Sequence, residues 1–203
     1  MRRLNPDGNA RLTAAVGVLL LLPIAVELAT IVLGVHTFMS LHVFIGVALI
    51  PPILLKLGST GWRFVRYYTR GPDYVEHGPP QLAMRLLAPL FVVATVVLFT
   101  SGVMMGVLHG QALDIARRLH GPSAAIWAIL LGIHVLVYLR RAVTTSSSDL
   151  HRATRARVHG AGWRAYALAT ALVCGFVIAV ASVPAQHHWI DIPRHHEHHA
   201  RSE

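Results

Sequence analysis

Two very apolar stretches of this chain carry residues that bind metals or hold charge, and the spacing is the same in both. His42 and Lys56 begin and end HVFIGVALIPPILLK, and His120 and His134 begin and end HGPSAAIWAILLGIH, so each pair is fourteen positions apart. Fourteen positions are four turns of a supercoiled helix, which puts both members on one face roughly 21 Å apart. A neutral imidazole is a good axial ligand for haem iron, and histidine inside a membrane helix usually has a function. The spacing therefore predicts metal binding and electron transfer.

The composition predicts an integral membrane protein. Of 203 residues, 54% are hydrophobic and 13% charged, and the mean hydropathy is +0.54, which is too apolar for an ordinary soluble domain. A membrane helix needs about 20 apolar residues. The predicted fold is all-α, an integral membrane helical bundle over residues 1–186, followed by a histidine-rich tail over 187–203. Its five predicted transmembrane helices lie at about 12–34, 38–57, 83–108, 122–140 and 164–184.

The basic residues predict how the chain lies in the membrane. Fourteen of the eighteen Lys and Arg residues fall before the first span, between the second and third, or between the fourth and fifth. The positive-inside rule then places the N-terminus in the cytoplasm and the C-terminus outside a bacterial inner membrane. Topogenesis accounts for the formal net charge of +9, so nucleic acid is not expected as a partner. The first span is expected to be a retained helix, not a cleaved signal peptide.

The predicted topology brings the spaced residues together in pairs. Spans two and four run in the same direction, so His42 and His120 come to one outer depth, and Lys56 and His134 to one inner depth. If these spans face each other across a four-helix core, His42 and His120 can bind one iron from opposite sides. The only cysteine, Cys174, leaves no C-x-x-C-H motif for covalent attachment. A haem would therefore be of the non-covalent b type.

These motifs resemble those of bacterial b-type cytochromes, the membrane haem bundles that include the cytochrome b subunits of hydrogenases and formate dehydrogenases. The resemblance covers roughly residues 12–142, and the segment LKLGSTGWRFVRYYTRGPDYVEHGPPQLAMRLLAPL also resembles small actinobacterial membrane proteins. It implies that His42 and His120 bind an outer haem and that His134 is one inner ligand. Lys56 departs from the pattern, which has histidine at that place. The implied cofactors are one or two haems b, with menaquinone or another quinone as electron carrier.

For three residues the sequence is compatible with more than one role. Lys56 is an unusual ligand, a charge beside an inner haem's propionates, or a residue that snorkels to the cytoplasmic edge. His134 binds an inner haem with another partner, binds a quinone, or makes a hydrogen bond between helices. Glu27, inside the first span, accepts a proton from a quinol or makes a structural hydrogen bond.

The expected function is electron transfer between the quinone pool and a redox partner at the outer face. The chain would be an electron-transfer subunit and not a stand-alone enzyme. The alternative is a haem-free membrane protein, transporter-like or structural, whose tail collects metal ions. The tail candidates for metal binding are His195, His196, His198 and His199.

Overall fold

The computed structural model describes residues 6–69, 82–147 and 160–199, and the side chains of residues 7–69, 86–147 and 160–185. Within these ranges the fold is entirely helical, and every helix is long and apolar enough to cross a membrane. The all-α membrane bundle predicted from the sequence is confirmed. The five helices are α1 Pro6–Val32, α2 Met39–Tyr68, α3 Leu82–Val107, α4 Gln111–Ser147 and α5 Ala161–His199.

Four of the helices extend well past one end of the predicted spans. The difference that affects the candidate histidines is in α4, which begins at Gln111 and passes without a break through Gly121 and Pro122. Hydropathy reports only the apolar part of a helix, whereas polar residues such as those in QALDIARRLH continue it beyond that part. His120 therefore lies well inside a helix.

Tight turns join the helices on the side of the bundle where α1 ends. Residues 33–38 join α1 to α2, and residues 108–110 join α3 to α4. Gly34 and Gly110 have φ angles of 111° and 61°, a left-handed conformation that favours glycine. Such short connections make α1 antiparallel to α2, and α3 antiparallel to α4. Because α2 and α4 both begin at these turns, on one side of the bundle, they run in the same direction.

Helices α1 to α4 form a four-helix ring, and α5 lies outside it. Helix α1 packs against both α2 and α4, and α3 packs against α4 and more lightly against α2. Helices α2 and α4 are therefore diagonal partners that face each other across the ring. The main neighbour of α5 is α2. The buried core residues are Val16, Leu20, Ile24, Leu49, Ile53, Ala94, Trp127 and Leu130.

The outer surface of the bundle is apolar. Leu22, Leu86 and Leu136 are 74%, 81% and 84% exposed, and many other large apolar side chains also point outward. A soluble monomer rarely exposes so much contiguous apolar surface. Lipid is therefore the environment that this surface fits.

The contact between α2 and α5 depends on Gly175. A methyl group at this position would collide with the backbone carbonyl of Ala48. Because the obstacle is backbone and not a flexible side-chain end, α5 could accept a larger residue only by moving away from α2.

We predict that Gly175→Ala lowers the free energy of unfolding by about 1–3 kcal/mol. Gly132→Ala is the matched control, since its added methyl would meet no atom within 4 Å, and it should be neutral or stabilising by about 0.5–1 kcal/mol. Unfolding in mixed micelles of dodecyl sulfate and a mild detergent measures both. Equal effects would mean that α5 does not approach α2 at this glycine.

Candidate functional site

His42 of α2 and His120 of α4 meet across the ring at the level nearest to the turns 33–38 and 108–110. This is called the outer level, after the predicted topology, and the level of Lys56 and His134 is called the inner level. Their ring centres are 6.3 Å apart, and the two ring planes are inclined at 84°. Both side chains are half-buried. The pairing expected from the spacing and the topology is therefore present in the fold.

The hydrogen bonds of His42 fix which of its nitrogens carries the proton. Nδ1 lies 2.9 Å from Oε1 of Glu27 and 3.2 Å from the hydroxyl of Thr30, both on α1. The Thr30 hydroxyl donates its only proton to the backbone oxygen of Glu27 at 2.6 Å, so it can only accept from the histidine. Nδ1 therefore carries the proton, and Nε2 of His42 keeps its lone pair.

His120 is held in the same way by α3. Its Nδ1 lies 3.2 Å from the backbone oxygen of Leu98 and 3.2 Å from the hydroxyl of Ser101. The Ser101 hydroxyl donates to the oxygen of Leu98 at 2.9 Å. Because a carbonyl oxygen can only accept, Nδ1 is again the protonated nitrogen. In the neutral form of each histidine, Nδ1 therefore carries the proton, and no hydrogen bond to Nε2 is found among the described residues.

This arrangement is the one that metal-binding histidines usually have. The nitrogen that does not bind the metal donates to a carboxylate or a carbonyl, which fixes the tautomer and the orientation of the ring. Glu27 and Leu98 supply these two acceptors, from the two helices that flank the pair. Oε2 of Glu27 is buried and has no hydrogen-bond partner among the described residues.

The separation of the rings also fits one metal ion between them. An imidazole nitrogen binds a transition metal at about 2.0 Å and lies about 1.1 Å from its ring centre, so opposed ligands have ring centres about 6.2 Å apart. The observed 6.3 Å agrees with this value. Two neutral imidazoles on diagonal helices of a bundle are a suitable axial pair for a b-type haem, so the residues present fit that group.

Glycines next to the pair allow the helices to approach. A methyl group at Gly102 of α3 would lie 3.1 Å from Cε1 of His120, and one at Gly46 of α2 would lie 3.5 Å from Oε1 of Glu27. Gly102 therefore sets how closely α3 holds His120.

Lys56 and His134 also come to one level, at the inner side of the ring. Each lies fourteen residues beyond a member of the His42–His120 pair, on helices that run in the same direction. The Lys56 side chain runs to α1, where Nζ donates to the backbone oxygen of Thr13 at 3.2 Å. All three interpretations of Lys56 stay predictions, because Thr13 and Lys56 lie next to the ends of the predicted spans, where a lysine head can also reach the membrane edge. The His134 ring packs between Phe91 and Tyr138, with ring centres 5.3 Å and 4.9 Å away.

The side chains of His195, His196, His198 and His199 lie outside the described ones, so their metal binding stays a prediction. In the described part of the chain, the His42–His120 pair included, no three His, Cys, Asp or Glu residues gather into a metal-binding group.

A separate groove lies between α1, α2 and α5. Its volume is about 250 Å³, and apolar side chains such as Leu19, Phe44, Leu172 and Phe176 line it. Its lining contains no group that could bind a metal or move a proton.

Sequence reasoning singled out the pair and Glu27 but not the hydroxyls that orient the pair. Thr30 and Ser101 each lie three residues after the backbone carbonyl that they bind. This spacing is common in helices and carries no signal in a single sequence. Only the packing of α1 and α3 against the histidines gives these residues a role.

Comparison with protein-family models, curated proteins and solved structures finds no match for this chain.

We predict that Glu27 and His42 are energetically coupled by about 1–3 kcal/mol in a double-mutant cycle of Glu27→Ala and His42→Ala. Their side chains are only 16% and 17% exposed, so water does not replace the lost contact. The exposed pair Asp114–Arg117, 4.0 Å apart, is the control and should couple by less than about 0.5 kcal/mol. Unfolding in mixed micelles measures both cycles, and equal coupling would contradict the interior contact.

Proposed function

We propose that this chain is a membrane b-type cytochrome that binds haem between His42 and His120. In this proposal it transfers electrons between the quinone pool and a redox partner at the outer face. The observation that carries the proposal is the matched hydrogen bonding of the two histidines, which engages Nδ1 in both, together with ring centres 6.3 Å apart. A pair that served only to pack the helices would not need the same tautomer on both sides.

The residues of the chain supply position and environment. The bound haem would supply reversible one-electron oxidation and reduction of its iron. Glu27 and Thr30 orient one ring, while Leu98 and Ser101 orient the other. A carboxylate that accepts from a metal-binding histidine raises the basicity of that ligand, so the Glu27 contact would favour the oxidised form of a bound haem. The backbone oxygen of Leu98 is a weaker acceptor, so the two ligands differ.

Attachment of the haem would be non-covalent. The only cysteine, Cys174, is an exposed residue of α5, outside the four-helix ring. The axial bonds and the surrounding apolar side chains would therefore hold the group.

The proposed orientation follows from the basic residues. The N-terminus would lie in the cytoplasm and the C-terminus outside a bacterial inner membrane. In this orientation the His42–His120 pair lies nearer the outer face, which is why the redox partner is proposed there. A bundle of this size has little room for substrate chemistry, so an electron-transfer subunit is the most suitable role.

We predict that the chain, produced with haem supplied and purified in detergent, shows the α and Soret bands of a low-spin b haem in a reduced-minus-oxidised spectrum. His42→Ala and His120→Ala should each lower the haem content per chain by more than about tenfold, because each removes an axial ligand. The pyridine haemochrome assay measures that content.

His36→Ala and His109→Ala are the matched controls, since both histidines are exposed at the outer ends of helices. Both should keep the haem content of the unmodified chain. If the unmodified chain takes up no haem, the proposal fails and the haem-free alternative takes its place. Deletion of residues 187–203 would then show whether the tail collects metal ions.

A further inference from the structure

Lys56 is a cation inside a membrane helix with most of its hydrogen-bonding capacity unused. Its one described hydrogen bond, to the oxygen of Thr13, accounts for one of the three protons on Nζ. Among the described residues no carboxylate lies within ion-pair distance of it. A charged group at such a place usually faces a ligand or a transport path, because burial without a partner is costly.

Gly17 gives the Lys56 head the space that it occupies. A methyl group at position 17 would lie 2.7 Å from Nζ, closer than two such atoms approach. The head therefore rests against the backbone of α1 between Thr13 and Gly17, inside the ring. The absence of a side chain at Gly17 of α1 thus allows Lys56 of α2 to place its head against the α1 backbone.

His134 supplies a second polar group with unused capacity at the same level. Neither of its ring nitrogens has a hydrogen-bond partner in the part of the chain that the structure describes, and its ring contacts are with Phe91 and Tyr138. A neutral imidazole offers one donor and one acceptor. Lys56 and His134 therefore lie at one level on diagonal helices, and Phe91 and Tyr138 place aromatic surfaces beside His134.

A flat ring with oxygen atoms at opposite ends fits this combination. The oxidised form of a quinone has two carbonyl acceptors, for which Lys56 and a donor nitrogen of His134 are partners. In the reduced form each oxygen carries a proton, and the acceptor nitrogen of His134 can receive one of the two. Phe91 and Tyr138 offer faces on which a flat ring can stack.

A second haem fits the inner level less well. Iron needs a second axial ligand with a lone pair, and lysine offers three donors and no acceptor. The Lys56 head is also engaged with α1. The inner level therefore differs in chemistry from the outer one, although the spacing on the two helices is the same.

We infer that Lys56 and His134 bind the head group of a membrane quinone at the inner level of the bundle. The inference rests on the proposed function, to which it adds the place where the quinone binds. It does not depend on the outer pair for its own test, because quinone binding and haem content are measured separately.

The test is the binding of menadione to the purified full chain, measured by isothermal titration calorimetry. Lys56→Met keeps the length of the side chain without the charge, and His134→Phe keeps a ring beside Phe91 and Tyr138 without the nitrogens. Each should weaken binding by about ten- to a hundredfold, the effect of removing one hydrogen bond to a charged or buried polar group. Gly17→Ala keeps the charge but displaces the Lys56 head, so it should weaken binding by less.

Two control variants remove a cation and an imidazole from positions outside the inferred site. Arg66→Met removes a cation from the same helix, and His109→Phe removes an exposed imidazole. Both should bind menadione as the unmodified chain does. Haem content, measured on the same samples, should be one per chain and unchanged in Lys56→Met and His134→Phe.

The two measurements separate the possible failures. Haem without menadione binding, or binding that Lys56→Met and His134→Phe leave unchanged, overturns the inferred site but not the proposed cytochrome. Two haems per chain, falling to one in His134→Phe, would make the inner level a haem site and also overturn the inference. Menadione binding that depends on both residues in a chain without haem would support the site and overturn the cytochrome.

Discussion

Hydrogen bonds of buried polar groups have to be completed within the protein when a helix lies in lipid, and this constraint decides how the bundle is arranged. His42 and His120 would each cost free energy if Nδ1 had no acceptor. Helix α1 provides one through Glu27, and α3 provides the other through Leu98. The four helices therefore have to pack as a ring in which each histidine lies beside a neighbour that completes its hydrogen bonding.

Helix α1 connects the two levels of this ring. Its inner half carries Thr13 and Gly17, which hold the head of Lys56, and its outer half carries Glu27 and Thr30, which hold His42. Between these levels it contributes a buried stripe to the core. The stripe consists of Val16, Leu20 and Ile24. A shift of α1 along its axis would disturb both levels at once, so their relative position is rigidly set.

The two levels look alike in sequence but differ in chemistry. Both place one residue on α2 and one on α4, at the same interval. At the outer level both residues are imidazoles with Nδ1 already engaged, and their ring centres are 6.3 Å apart. At the inner level an ammonium and an imidazole have unused donors beside Phe91 and Tyr138. A pair of lone pairs suits a metal ion, whereas an array of donors suits an oxygen-bearing ligand.

The sequence by itself determined the fold class, because a membrane requires long apolar helices and five such stretches are visible in the composition. It also placed His42 with His120 and Lys56 with His134, since helical periodicity fixes depth once the helix directions alternate. It underestimated the length of α4, because hydropathy does not report the polar turns before residue 122. Only the tertiary structure decided which nitrogen of each histidine is free and where the Lys56 head lies. These features depend on side chains of α1 and α3 whose neighbours are set by packing between helices, and no spacing within one helix records such contacts.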